Sequence, residues 1–425
     1  MRETPEEKLT QFREILQDEN LINLGKEFGI EDQRHRKITL SVFFWLMVFA
    51  CTMSETTGCL AALCAQFATA FCHLFAGQNP TTITKAAISK KTKKTNWLFF
   101  KDVFNRLLMR YQRILPASTI EKFKQFSDIK AIDSTVIQVC KKLESIFQST
   151  REGIATIKIH TSLSLLGQAP DKINVTEGKR GDRQFKFQEA LRKILYIFDL
   201  GYYSHELFDR LISRGCFFVS RLKFVCSLIV IKALDRLSPR NIAGFTLEQI
   251  CQRATHGTLD LLIELGKVET SRMRHQVRLI GVLHDHDWYF YITNIFDRSL
   301  TPLDFYLLYA QRWQIEILFN QIKTYLSLDN IFCRTKNGIM IQVYSAFIFY
   351  ILCQILVLLA AEKTNRKVRD FSIKAVIEHV GSYLKSIHSL LSVFHLTDWD
   401  TFWRTLLRLV CCIPTRNYQS KAQFY

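Results

Sequence analysis

The 425-residue sequence has no C-x-x-C pair, although it contains twelve cysteines. Zinc ribbons and thioredoxin-type redox centres need two closely spaced sulfurs, so both are excluded. The scattered thiols, such as Cys51, Cys59, Cys64, Cys353 and the adjacent Cys411 and Cys412, read as reduced, buried residues of a cytosolic chain. Proline and glycine are scarce, at seven and sixteen residues. No low-complexity run or internal repeat is present, which excludes long flexible spacers and solenoids. Positions 1–19 carry charges of both signs and no apolar stretch, so a signal peptide is not expected there. Acidic charge is also in deficit, with 39 Asp and Glu against 57 Lys and Arg and a net charge of +18.

Hydrophobic residues make up 48% of the chain, enough for a large core and too many for general disorder. The length predicts two to four domains. A soluble surface usually carries a net charge of only ~2–8. The larger excess found here favours a polyanionic partner, either nucleic acid or an anionic membrane surface. Two apolar runs bear on that choice. The run 38–53 is short for a membrane span, whereas 343–361 (VYSAFIFYILCQILVLLAA) is uncharged and near the ~20 residues that a span needs. Ser345 and Gln354 interrupt it, and the central helix of a helical layer is also apolar all round. No membrane partner is therefore expected.

Along the chain, residues 1 to about 125 read as helices, with apolar residues at helical spacing in 9–16, 42–53, 61–75 and 99–114. The stretch 81–96 (TTITKAAISKKTKKTN) carries Lys85, Lys90, Lys91, Lys93 and Lys94. It reads either as a helix presented to phosphates or as a solvated basic turn. From about 128 the texture turns to strands at 129–137, 155–165, 172–176, 194–200 and 216–222, with helical patterns at 184–193 and 204–214. Three strands, helix, strand, helix, strand is the order of the ribonuclease-H-like fold, a mixed α/β sheet. Residues 225–294 read as β throughout. A single long helix is expected from Pro302 to about Leu326, and helices again over 338–412. The implied domains are a helical region at 1–125 suited to DNA-end binding, a core at 126–225 and 296–337, a β-rich insertion at 226–295 and a helical region at 338–425.

On the long helix, Tyr309, Arg312, Glu316 and Lys323 stand at offsets 0, 3, 7 and 14. At ~100° per residue they fall within roughly 60° of one another. A carboxylate between two cations and a phenol suits a metal ligand flanked by phosphate-binding groups. It equally suits an amphipathic surface helix with an Arg312–Glu316 ion pair. Asp133 lies inside the first strand and Asp199 at the end of the fourth. A carboxylate in an apolar strand is costly unless paired or bound to a cation, and in the expected fold these strands are neighbours. Singly, Asp133 could cap a turn with Ser134 and Thr135, and Asp199 could open the turn at Leu200 and Gly201. The HDHD stretch at His284, Asp285, His286 and Asp287 reads as a polar hairpin turn, not a metal cluster.

The spacing Y-x2-R-x3-E-x6-K, matched by Tyr309, Arg312, Glu316 and Lys323, resembles the signature of DDE transposases of the insertion sequence four family. AIDST around Asp133 and FDLGY around Asp199 are similar to that family's two Asp motifs, as is ITN ending at Asn294. The resemblance covers roughly residues 80 to 362. Leu200 departs from it, standing where many relatives carry Arg.

That resemblance implies an enzyme in which Asp133, Asp199 and Glu316 hold two Mg2+, with Mn2+ as a substitute, for in-line displacement at phosphorus. Water would free a 3′-hydroxyl at the element's end, and that hydroxyl would then attack the opposite strand or target DNA. Arg312 and Lys323 would neutralise phosphates and Tyr309 would orient one. Trp288 would stack on a flipped base or else cover the sheet core. Lys158 and His160 would support the site from the second strand or simply pack there. The partners implied are terminal inverted repeats, target DNA and a second copy of the chain on paired ends. The implied location is the cytoplasm, on the nucleoid. The alternatives are a nuclease of the same fold without strand transfer, and a non-catalytic DNA-binding or membrane-associated protein.

Overall fold

A computed structural model describes residues 3–32, 38–52, 60–66, 83–115, 121–182, 192–222, 226–266, 272–386 and 399–412. The chain opens with helices α1 (Pro5–Leu16), α2 (Asp18–Glu27), α3 (Leu40–Ala50), α4 (Leu60–Gln66), α5 (Lys85–Lys94) and α6 (Trp97–Ile114). Their starts follow from local chemistry. Thr4 and Glu7 form a reciprocal capping box on α1, and Thr84 caps α5 by accepting from the Ala87 amide, each satisfying donors that the first turn leaves open.

Five strands come next: β1 (Asp128–Val139), β2 (Ala155–Ser164), β3 (Ala169–Glu177), β4 (Ile194–Phe198) and β5 (Phe217–Arg221), with helix α7 (His205–Ser213) between the last two. The first three strands pair antiparallel, and β4 and β5 run parallel to β1. The strand order and pairing expected from the sequence for a ribonuclease-H-like core are therefore present. The helical pattern expected over 184–193 falls mostly on residues 183–191, outside the described residues. Strands β6 (Leu228–Ala233), β7 (Thr258–Leu265), β8 (Val277–His284) and β9 (Asp287–Thr293) extend the same sheet, because β9 pairs with β5. The full order is β3-β2-β1-β4-β5-β9-β8-β7-β6. Asp285 and His286, both at positive φ, make the tight turn between β8 and β9, the backbone a two-residue hairpin favours.

Two expectations need correction. The stretch 225–294 is not wholly β: it contains helix α8 (Leu247–Arg253), whose capping box of Thr246 and Gln249 is a T-x-x-Q signal overlooked between stronger β patterns. The helix carrying Glu316 is also not one continuous α-helix. It consists of α9 (Pro302–Ala310), α10 (Trp313–Asn320) and a π-helical turn at Gln321–Tyr325. Between α9 and α10 the amides of Gln311, Arg312, Gln314 and Ile315 bond three residues back, at 3.0–3.1 Å. That tightens the winding before the π turn relaxes it. Apolar periodicity records the buried face, and both windings preserve that face, so the pattern does not reveal them.

The sheet separates two apolar clusters. Alternate residues Ile129, Ala131 and Ile137 of β1, with Leu195 and Ile197 of β4, pack against the helical layer. Ile132, Tyr196 and Phe198 face the other way, against Phe208 and Leu211 of α7 and the strands β6 to β9. The helical layer continues through α11 (Lys336–Thr364), α12 (Ile373–Ser386) and α13 (Trp399–Cys411). The apolar run 343–361 lies within α11, which is long and apolar enough to cross a membrane but is enclosed by the fold. Its Gln354 donates to the Tyr350 hydroxyl, which donates to Gln321, so that amide is partnered internally, whereas the Ser345 hydroxyl is buried with no partner among the described residues. Among the described cysteines, Cys51, Cys216, Cys333 and Cys353 are buried as expected, whereas Cys412 is exposed.

One buried cation fixes where the Glu316 helices begin. Arg278 on β8, 1% exposed, donates twice to Asp260 at 2.8 and 2.7 Å and also to the carbonyls of Ile295, Asp297 and Leu300. These carbonyls lead directly into Thr301, the cap of α9.

Candidate active site

Asp133 and Asp199 each follow, by one residue, the last registered pair of the parallel strands β1 and β4, Ile132 with Phe198. They therefore stand at one level on neighbouring strands. Their positions alternate with Ile132 and Phe198, so both side chains leave the sheet on the face that meets the helical layer. Neither carboxylate is used up by a turn. Asp133 sits in mid-strand and accepts from its neighbour's amide, Ser134 N, at 2.7 Å. Asp199 precedes a short 3-10 turn at Leu200–Tyr202 but makes no side-chain cap bond to it.

Helix α10 packs on β1 and brings Glu316 to the same place through Arg312. The guanidinium donates to Asp133 Oδ2 at 2.9 Å and to Glu316 Oε1 at 2.6 Å. Burial pushes the Asp133 carboxyl up to about 6; the Ser134 amide and Arg312 oppose the rise, and the nearby Asp199 and Glu316 add to it. Like charges are thus gathered in a desolvated place, and one arginine offsets them.

The other helix residues are also close. Tyr309 is 9% exposed, packs on Tyr291 at 4.8 Å between ring centroids and lies beneath the Arg312 guanidinium. Burial pushes its hydroxyl up to about 12. Among the described residues, Tyr309 Oη and Arg312 Nε are buried and make no well-aligned hydrogen bond, although Arg312 lies close enough to the Tyr309 hydroxyl to oppose its rise. Buried donors left open cost free energy unless a ligand completes them. Lys323, in the π turn, donates to the Val136 carbonyl at 3.1 Å. Among the described residues no carboxylate pairs with it, so its charge stands open beside β1.

Among the described residues, no three His, Cys, Asp or Glu side chains are close enough to enclose a metal ion in this arrangement. Arg312 stands between two of the candidate ligands. The donor chemistry nevertheless fits a hard divalent cation: Asp133 and Glu316 share one guanidinium, burial raises the Asp133 carboxyl with Asp199 and Glu316 adding to the rise, and open donors sit beside them. Asp133, Asp199 and Glu316 are the residues that would hold it once Arg312 moves aside.

The remaining sequence candidates lie elsewhere. Trp288, half-buried at the start of β9, stacks on Phe290 with ring planes 9° apart. Lys90, Lys93 and Lys94 are exposed on α5, whereas Lys91 is ion-paired with Asp32. Lys158 and His160 lie opposite Val136 and Ser134 in the β1–β2 register. They therefore occupy the reverse face from Asp133, where Lys158 meets Asp182 at 3.3 Å and His160 meets Tyr202 at 2.9 Å. Sequence reading missed Asp182, Ser134 and Tyr202, since none stands in a periodic pattern that marks a site.

Comparison with known proteins bears on the family of the chain. Residues 124–352, more than half of the chain, match the family described as "Transposase DDE domain". The chain is 27% identical over 283 residues to the "Probable transposase for insertion sequence element IS5377" of Geobacillus stearothermophilus, covering 66% of this chain and 69% of that one. It is 26% identical over 380 residues to the transposase for insertion sequence element IS231F of Bacillus thuringiensis subsp. israelensis, covering 74% and 77%. A solved piggyBac transposase synaptic complex with hairpin DNA is similar with a TM-score of 0.46 and 8% identity, over 98% of this chain and 87% of that one.

Proposed function

The chain belongs to the transposase DDE domain family, and from that membership we propose that it binds the ends of an insertion sequence and cuts and rejoins DNA there, with Asp133, Asp199 and Glu316 as its catalytic carboxylates. The observation that carries the assignment of residues is the common level of Asp133 and Asp199 on β1 and β4, joined to Glu316 through Arg312.

Enzymes of this family generally use divalent metal ions. Here we assign two Mg2+, replaceable by Mn2+, to the three carboxylates. When bound, such ions activate the attacking oxygen and stabilise the leaving one. Everything else falls to the chain's own groups. Arg312, released from Asp133 and Glu316, and Lys323, which donates to the Val136 carbonyl, bind the phosphates flanking the scissile bond. The open Tyr309 hydroxyl donates to one of them and fixes its orientation. Trp288 supplies an aromatic face for an unpaired base. Lys90, Lys93 and Lys94 add non-specific phosphate contacts at the DNA ends. The functional unit is a homodimer on paired ends, acting on the nucleoid in the cytoplasm.

The test is excision and strand transfer. The gene's native flanking DNA is placed around a selectable marker, and the protein is supplied in trans as wild type, Asp133→Ala, Asp199→Ala or Glu316→Ala. Excision by the wild type alone is expected, with DNA-end binding retained in all three variants. Cleavage by any one variant overturns the assignment of that residue. A wild type that cleaves but never joins a pre-cut 3′ end to target DNA is a nuclease.

A further inference from the structure

We infer that Asp182 is a positioning residue that holds Asp133 and Asp199 at one level from the reverse face of the sheet. The inference rests on the reading of those two aspartates as catalytic.

Asp182 ends the turn that follows β3 and reaches back across three elements at once. Its Oδ1 accepts from Ser134 Oγ at 2.9 Å and from Lys158 Nζ at 3.3 Å. His160 Nδ1 lies 3.7 Å away. Ser134 is the residue next to Asp133, and Lys158 and His160 sit on β2, which pairs with that part of β1. On the other side the carboxylate lies against the turn after β4. A Cβ added at Gly201 would stand 3.0 Å from Asp182 Oδ2, so Gly201, two residues past Asp199, is fitted to this carboxylate by close approach. Tyr202 closes the loop through its hydroxyl on His160 Nδ1, and His160 is fixed at its other nitrogen by Thr176 Oγ1 at 3.1 Å. Lys158 also donates to the Arg180 carbonyl at 2.8 Å, which pins the turn bearing Asp182.

One carboxylate thus holds the side chain next to Asp133 and lies packed against Gly201, two residues past Asp199, on the face away from the reacting atoms. The Lys158–Asp182 pair is 12% and 24% exposed, and a single pair of this kind adds little net stability. Its consequence is geometric. Displacements of the order of 1 Å at catalytic groups cost about 100-fold in rate, and loss of partners that orient metal-binding residues costs about 10–100-fold in metal affinity or activity.

The experiment uses the full chain with Asp182→Ala, Asp182→Asn and, as a control, Asp133→Ala. It reads thermal melting, binding to the element's end, Mn2+ binding without DNA by electron paramagnetic resonance, and cleavage of a pre-bound end. For Asp182→Ala, cleavage should fall and Mn2+ half-saturation rise, each by about tenfold or more. Melting should be nearly unchanged and end binding within about twofold. Asp182→Asn keeps the acceptor for Ser134 and Lys158 and should recover most of both losses. Unchanged cleavage and Mn2+ affinity in Asp182→Ala would overturn the inference. So would losses in both Asp182 variants that follow a fall in melting temperature, because these would mark a structural role alone. If Asp133→Ala still cleaves, the catalytic reading itself fails. If it is inactive while Asp182→Ala behaves as wild type, only the positioning role fails.

Discussion

Arg312 donates to Asp133 at 2.9 Å across 179 residues of chain, and through its other nitrogen it holds Glu316. The same guanidinium that binds phosphate in the proposed reaction is, in the free protein, the counter-cation of two candidate metal ligands. On the proposed reading, metal and arginine compete for the same carboxylates, and DNA phosphates would give the arginine another partner.

Replacing Arg312 by Gln separates these two roles. Without the guanidinium, Asp133 and Glu316 lose their competing cation, so Mn2+ should bind the DNA-free variant several-fold more tightly than the wild type. Strand cleavage should still fall by about 100-fold, the scale of losing one positioned charge at a developing transition state. Mn2+ titration followed by spin resonance measures the first quantity. Weaker binding in the variant would mean that Arg312 preorganises the carboxylates instead of blocking them.

The pH dependence of the metal-free fold has two opposing parts. Asp133 is raised from 3.8 to about 6, so protonation stabilises the fold, and that contribution, complete below the unfolded value, is lost as pH rises through about 6. His160 is lowered from 6.5 to about 4, chiefly by burial, so its neutral form stabilises the fold above the unfolded value and that contribution is lost as pH falls through about 4. Metal-free Asp133→Asn should therefore be more stable than the wild type at about pH 8, by roughly 1–3 kcal/mol, with the gap closing by about pH 4. His160→Gln should flatten the loss between 6.5 and 4. Thermal melts across this range, run with chelator, decide both. A pH-independent gap for Asp133→Asn would contradict the desolvated, like-charged setting of that carboxylate.

Arg278 should be among the most sensitive positions away from the carboxylates. Arg278→Met leaves Asp260 charged and buried and three carbonyls open, which should cost about 3–5 kcal/mol. Adding Asp260→Leu removes the stranded charge and should restore part of it. The urea midpoints of the single and double variants measure both steps. A double variant less stable than Arg278→Met would show that Asp260 has other partners strong enough to hold it.

Salt dependence distinguishes the lysines. Lys323→Ala should weaken end binding and reduce the slope of log affinity against log salt by about one. Lys93→Ala should shift it in the same direction. Lys91→Ala should change it less, because Lys91 is already ion-paired with Asp32. Equal slopes for Lys91→Ala and Lys93→Ala would mean that DNA displaces Asp32.

The sequence by itself determined the order of the first five strands along the chain, the location of most elements and the candidate chemistry-bearing residues, whereas the pairing of β9 with β5 appears only in the sheet. Alternation sorts Ile129, Ala131 and Ile137 from Ile132 in one dimension, and Asp133 and Glu316 stand out because charge interrupts an apolar pattern. The tertiary structure decided what meets what. The β1–β4 register puts Asp133 level with Asp199, and local winding before α10 turns Arg312 onto Asp133, although Arg312 to Glu316 alone looks like a surface pair. Asp182 is invisible in sequence because its partners, Ser134, Lys158 and Gly201, belong to three separate segments. Periodicity reports burial along one element, whereas a site is a set of distances between elements, and only the packing of the sheet against its neighbours fixes those.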